Sequence, residues 1–149
     1  IAGSTPNELC KKHLQKLKKI IEDLKLKNTQ IITSDWISEQ EKDKIYRKAS
    51  IIIIPYIWGL YNSGITQDEA EYTLPVVITK TGAIYDVVKE YQTGEIVNKS
   101  TPVLLAKGIK KVINNYTKYK TGIKKYRDTA NWDISRKKYT ESYLELTKK

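Results

Sequence analysis

At 149 residues, with 40% hydrophobic and 30% charged side chains, the chain is long enough for one domain with a real core and too apolar to be disordered. No apolar run approaches the ~18 residues of a membrane-spanning helix and no signal peptide is visible, while a lone cysteine, Cys10, excludes an internal disulfide and fits a reducing, cytoplasmic setting. The net charge is +10 and uneven: from Thr101 to Lys149 there are 13 Lys/Arg against 4 Asp/Glu.

Three readings of that basic third stand side by side. It is a solvated helical face, or a surface drawn to anionic lipid headgroups at the inner membrane face, or a phosphate-backbone binder. No recognisable nucleic-acid motif supports the third, so no nucleic-acid partner is expected. One histidine, His13, and no Cys/His cluster give no reason to expect a metal.

Ile1-Ala2-Gly3 reads as the end of a strand, and the chain is expected to be a fragment of a longer protein. Ser4-Thr5-Pro6-Asn7-Glu8 is a helix start, with a hydroxyl cap, Pro in the first turn and an acid at the positive end of the dipole. Leu9, Leu14, Leu17, Ile20, Ile21 and Leu24 then share one face, with lysines opposite. Lys27-Asn28 breaks the pattern, and Thr29 to Thr33 is a short β-branched strand. Ser34-Asp35-Trp36-Ile37 is a loop. Ser38 with Glu41 three residues on is a capping box, opening a helix to about Ala49.

Ile51 to Ile54 is apolar at every position, as in a central parallel strand covered on both faces. Pro55 to Gly64 is too long for a minimal turn and rich in aromatics, the profile of a functional loop or of a surface loop whose tyrosines pack on neighbours. Gly64 allows an anion to approach the backbone at the start of the next helix. That helix, Ile65 to about Thr73, carries Asp68, Glu69 and Glu71. Val76 to Ile78 is a second buried strand, followed by Thr79-Lys80-Thr81-Gly82, a helix from Ile84 to Lys89, and a strand from Gly94 to Val97. Thr101-Pro102 caps a helix bearing Val103, Leu104, Leu105, Ile109, Val112 and Ile113. Tyr116 to Ala130 is a Tyr- and Lys-rich helix, and a last one starts at Trp132, with Trp132, Tyr139, Tyr143 and Leu146 on a stripe read as core, packed back on the sheet or on a missing neighbour.

Strand, loop, helix, strand is the grammar of an α/β domain: a Rossmann-like parallel sheet sandwiched by helices, with ligand loops at the carboxyl ends of its strands and a helical C-terminal tail. There is no Gly-Lys-Ser/Thr phosphate loop, no Gly-x-Gly-x-x-Gly after a strand and no hydrolase nucleophile elbow. From the residues alone, the loop around Gly64 is expected to be able to hold a phosphorylated ligand, with nothing to say which.

The order Ala49-Ser50-Ile51-Ile52-Ile53-Ile54-Pro55, Gly64, Glu69-Ala70, Leu74-Pro75-Val76-Val77-Ile78-Thr79, Gly82, Asp86-Val87-Val88 and Thr93-Gly94-Glu95-Ile96-Val97 resembles the carboxy-terminal domain of glycosyltransferase family 4, of the two-domain GT-B fold. Leu105-Ala106 with Ile109, and Trp132 with Tyr139 and Tyr143, resemble the family's later helices. The resemblance implies that residues 1–149 form one donor-binding domain, the amino-terminal acceptor domain being absent. It implies transfer of a sugar from a nucleotide-sugar to a glycan or lipid-linked acceptor with retention at the anomeric carbon, without metal or other cofactor. By the resemblance Glu69 takes the ribose, the backbone of Asn62, Ser63, Gly64 and Ile65 faces the sugar and diphosphate, and Gly3 closes the strand that opens the pocket. The loop at Trp36 lies near the base, where the indole either stacks on it or packs.

Two departures follow. The family has a pair of glutamates separated by seven residues, and counting back from Glu69 places Tyr61 at the first, so no catalytic carboxylate is assigned. The family also has Pro seven residues after the second glutamate, whereas Glu69 to Pro75 is six; a helix one residue shorter, Asp68 in the glutamate's place, or a methionine lost between Ala70 and Glu71 would each account for it. The fragment alone is therefore expected to bind nucleotide without turnover. The alternative is a non-catalytic nucleotide- or partner-binding module descended from the same family.

Overall fold

The computed structural model describes residues 2–3, 5, 7–33, 37–57 and 64–147. Contacts gather the chain into two compact units, Ile1–Ile45 and Tyr46–Lys149.

In the first unit, strand β1 (Ala2–Gly3) pairs in parallel with β2 (Ile32–Thr33), Ala2 opposite Ile32 and Gly3 opposite Thr33. Helix α1 (Glu8–Asp23) lies between them in sequence. Its cap is Asn7, whose Oδ1 accepts from the Cys10 N–H at 2.9 Å, so the helix starts after Pro6 and not at the Ser-Thr pair. Cys10, Leu14, Leu17 and Ile21 are half-buried at spacings of four, three and four. Leu9 (78% exposed), Ile20 and Leu24 fall outside that stripe, which is narrower than the apolar face expected from the sequence. A residue with left-handed backbone, Lys25 (φ 50), ends the helix, and Leu26 N–H returns to Ile21 O at 3.0 Å. Helix α2 (Glu39–Lys48) opens with the expected capping box: Ser38 Oγ accepts from Glu41 N–H at 3.3 Å and Glu41 Oε2 accepts from Ser38 N–H at 3.2 Å.

The second unit, which takes up the end of α2, is a three-stranded parallel sheet in the order β3 (Ile52–Ile54), β4 (Val76–Thr79), β5 (Gly94–Val97). Helix α3 (Ile65–Tyr72) links β3 to β4 and α4 (Ile84–Tyr91) links β4 to β5. Helices α5 (Pro102–Asn114), α6 (Tyr116–Thr129) and α7 (Trp132–Leu146) follow. The central strand is β4, every residue of which is buried. Ile54, Val76, Ile78, Ile84 and Val88 form the core on one side; Val77, Val97, Val112 and Tyr119 form it on the other. The Rossmann-like sandwich and helical end are as the sequence implies.

The apolar run Ile51–Ile54 is not a strand covered on both faces. β3 pairs with β4 alone among the described residues, and Ile53 is 45% exposed. A run of isoleucines signals strand propensity but not the number of neighbours. The stripe of α7 does not pack back on the sheet: Trp132 is 81% exposed, Tyr139, Tyr143 and Leu146 are also exposed, and α7 has no buried residue. The first tyrosines of α6 behave oppositely. Tyr116 Oη donates to Ser50 O at 2.9 Å, and the buried Tyr119 donates to Glu95 Oε1, whose other oxygen meets Lys111 Nζ at 3.3 Å. Burial, then the Glu95 carboxylate, holds the Tyr119 phenol well above its ordinary range.

Candidate functional site

The parallel register aligns the carboxyl ends of the three strands: Ile54 lies opposite Ile78, and Thr79 opposite Val97. Three chain segments leave this edge. After β3, Tyr56 O accepts a hydrogen bond from Thr79 Oγ1, which hooks the outgoing chain to the last residue of β4. Past residues 58–63, which lie outside the described set, α3 begins at Gly64.

Gly64 is exposed, no side chain caps the helix there, and its carbonyl accepts from Gln67 N–H at 3.0 Å and Asp68 N–H at 3.2 Å. Its backbone (φ −54, ψ −16) suits any residue, and a Cβ placed on it would meet nothing within 4 Å among the described residues. The glycine is therefore not required by the turn, and it leaves open the space beside the positive end of a two-turn helix. After β4, Thr81 N–H returns to Thr79 O at 2.8 Å and Gly82 takes φ 68, a conformation open to glycine at little cost, turning the chain into α4. Lys80, exposed between strand and turn, has its Nζ 5.6 Å from the Tyr85 ring centroid. No motif announces Lys80; the available signal is its place directly after a buried apolar strand.

Glu69 lies inside. It is 0% exposed, and neither carboxylate oxygen has a hydrogen-bond partner among the described residues. Burial pushes its carboxyl up to about 8, opposed by the Thr93 hydroxyl, which acts on it without completing a well-aligned hydrogen bond and is itself buried and unpartnered. The adjacent Asp68 is engaged differently: its Oδ2 accepts from Tyr46 Oη at 3.1 Å, and the Tyr46 ring stacks on Tyr72 at 5.0 Å. Asp68 is thus held by α2, and of the two acids it is Glu69 that α3 turns inward with Thr66 and Ala70. The helix runs unbroken to Tyr72 and is closed by Thr73 (φ 54), so Pro75 is reached in six residues.

Gly64 and Ile65 stand at the carboxyl edge of the sheet, while Glu69 faces the interior more than a turn further on. Neither Gly64 nor Glu69 lines any of the cavities described here. One of them, about 820 Å³, lies against α1 and β2 in the first unit, with no carboxylate among the described residues of its lining. Gly3 ends β1 in that same unit. Trp36, Tyr61, Asn62 and Ser63 lie outside the described residues. Among the described residues no group of three or more His, Cys, Asp or Glu could hold a metal ion, and no helix is long and apolar enough to cross a membrane.

A family model described as glycosyl transferases group 1 matches residues 1–129. Among solved structures, the chain is similar to sucrose-phosphate synthase from Thermosynechococcus elongatus, with a TM-score of 0.72 at 16% identity, over 98% of this chain and 37% of that one. It is also similar to the carboxy-terminal domain of a glycosyl transferase group 1 family protein from Francisella tularensis, with a TM-score of 0.65 at 16% identity, over 83% of this chain and 65% of that one. The chain thus spans little more than a third of the first structure and just under two-thirds of the second. At this identity the likeness speaks to fold, and the fold is the carboxy-terminal half of GT-B. No curated protein sequence matches the chain.

Proposed function

Because this chain belongs to the glycosyl transferases group 1 family, we propose that it is the donor-binding half of a retaining glycosyltransferase that takes its sugar from a nucleotide-sugar. The observation that carries this reading is the uncapped start of α3 at Gly64, open to solvent at the carboxyl edge of a parallel sheet. A diphosphate there is met by the dipole of α3 and by the Lys80 charge leaving the neighbouring strand. In this reading Asn62, Ser63, Gly64 and Ile65 serve the sugar and diphosphate, and Gly3 and Trp36 are assigned to the nucleotide by the family resemblance alone.

Glu69 takes the ribose hydroxyls in this reading. A carboxylate accepts two hydroxyl hydrogens only when ionised, so donor binding requires the buried, protonated Glu69 to turn outward and lose its proton. The reading includes no metal or other cofactor. The acceptor is a glycan or lipid-linked saccharide, met by a second domain at the inner membrane face, and the 149 residues alone bind donor without turnover.

Calorimetric titration with UDP-, GDP- and ADP-sugars tests the reading. One of them is expected to bind, and Gly64→Ala is expected to weaken it about tenfold, or ~1.4 kcal/mol, while leaving the melting temperature unchanged. Binding of none, or equal binding by the variant, overturns it. Tyr61, standing where the family has its first glutamate, favours a second reading as a non-catalytic nucleotide-binding module. In the enzyme containing this chain, Tyr61→Glu raises transfer if the site is a crippled catalyst and leaves it at zero if the site is a module.

A further inference from the structure

The inner face of α3 sets Thr66, Glu69 and Ala70 in the core. The Glu69 carboxyl and the Thr93 hydroxyl acting on it are both buried without a hydrogen-bond partner among the described residues. Burying polar groups in this way is unfavourable, so the setting of α3 depends on contacts made elsewhere on the helix. One set is on another face. Asp68 and Tyr72, four apart and therefore neighbours on the helix surface, both meet Tyr46 at the end of α2. Tyr46 Oη donates to Asp68 Oδ2 at 3.1 Å, and the Tyr46 and Tyr72 rings stack with their planes 20° apart. The ends of α3 are lightly anchored by comparison: no side chain caps its start at Gly64, and Thr73 closes it in left-handed backbone.

No charged side chain of α2, α4, α6 or the sheet acts on Glu69. Asp68 is turned to Tyr46, Tyr119 to Glu95, and Tyr91 and Tyr126 to each other. Burial and the Thr93 hydroxyl are what act on its proton. A helix with a costly inner face and a specific grip on its outer one has two settings: one with the carboxyl inside and protonated, one with it outside and ionised. A ligand that needs the second setting binds more weakly by the fraction of chains that have reached it.

We propose that Tyr46 is a positioning residue for Glu69: by holding Asp68 and Tyr72 it keeps α3 in the setting that buries the carboxyl, and a nucleotide-sugar must loosen that hold for Glu69 to reach the ribose. On binding, the carboxyl O–H bond breaks, the proton leaves to solvent, and the carboxylate accepts from the ribose hydroxyls. The ligand in this proposal rests on the donor reading; the hold of Tyr46 on Glu69 does not.

Two measurements on the full chain test it. In the free chain, NMR of 13C-labelled glutamate follows the Glu69 carboxyl through its titration, with the native midpoint expected at about 8. Tyr46→Phe keeps the ring against Tyr72 and removes the bond to Asp68, and it is expected to lower that midpoint by about one pH unit. Calorimetry with UDP-, GDP- and ADP-glucose then reads affinity. The native affinity is expected to climb with pH up to about 8 as the proton is lost, Glu69→Gln to abolish the climb, and Tyr46→Phe to bind about tenfold more tightly near pH ~7. A tyrosine that served only the fold would give no such gain when its bond is removed. The proposal falls if the Tyr46→Phe midpoint equals the native one, or if the variant binds donor no more tightly than the native chain. If none of the three donors binds either chain, the donor reading falls, and the carboxyl midpoint still decides whether Tyr46 holds Glu69 inside.

Discussion

Burying Glu69 is costly, because a carboxyl with no hydrogen-bond partner among the described residues has been taken out of water. Its proton is held more tightly in the folded state, at about 8 against an ordinary 4.5. Between those values the folded chain carries a proton the unfolded chain has lost, so ionisation adds no further cost below the lower value, and Glu69 subtracts stability as pH climbs to the upper one. Glu69→Gln should therefore match the native chain in acid and exceed it by roughly 3–5 kcal/mol near pH ~9, read by urea unfolding at both ends. A native chain as stable as the variant at the alkaline end would sink this account. The sequence offers Glu69 as the carboxylate that the family resemblance points to, but its burial depends on how α3 is rotated against the sheet and α6, which no local pattern encodes.

Local signals were enough where the chemistry is local. The Ser38–Glu41 box and the Thr101–Pro102 cap form as their spacing demands, Thr101 Oγ1 accepting from Leu104 N–H at 3.4 Å. Helix endings are less legible. α3 and α4 both stop on a non-glycine residue in left-handed backbone, Thr73 and Gln92, each at φ 54. A β-branched residue there carries strain that glycine avoids, and both N–H groups after the helix, of Thr73 and Leu74, turn back to Glu69 O. Thr73→Gly is expected to stabilise by about 0.5–1 kcal/mol after the entropy glycine loses, a rise of a few degrees in melting temperature, and Gln92→Gly to do likewise. A fall in melting temperature for Thr73→Gly would mean that the half-buried threonine contributes more through packing than its backbone costs. Periodicity, by contrast, overstates burial in α1 and α7: the rows containing Leu9 and Trp132 have helical spacing, but whether a row is covered depends on what stands opposite it.

For the whole molecule the charge of +10 is the dominant long-range property. The tyrosines interleaved with it on α6 are already used: Tyr119 on Glu95, Tyr116 on Ser50, Tyr126 against Tyr91 at 5.1 Å. They form no open stacking platform for bases, and the exposed lysines are left as a cationic surface. Vesicles containing phosphatidylserine should retain the chain at low salt and release it near ~1 M salt, where the Debye length is about 3 Å. Equal retention by neutral and anionic vesicles would assign the charge to solvation alone.

Fold class, strand order along the chain and the helix caps at Ser38 and Thr101 were readable from residue order, since backbone propensity and capping act over a few neighbours. Which strand is central, which apolar stripe stays wet, and the enclosure of Glu69 were set by the packed molecule. Each depends on surfaces contributed by segments distant in sequence: β4 is covered because β3 and β5 flank it and helices close both faces, and Trp132 is open because, among the described residues, none covers it.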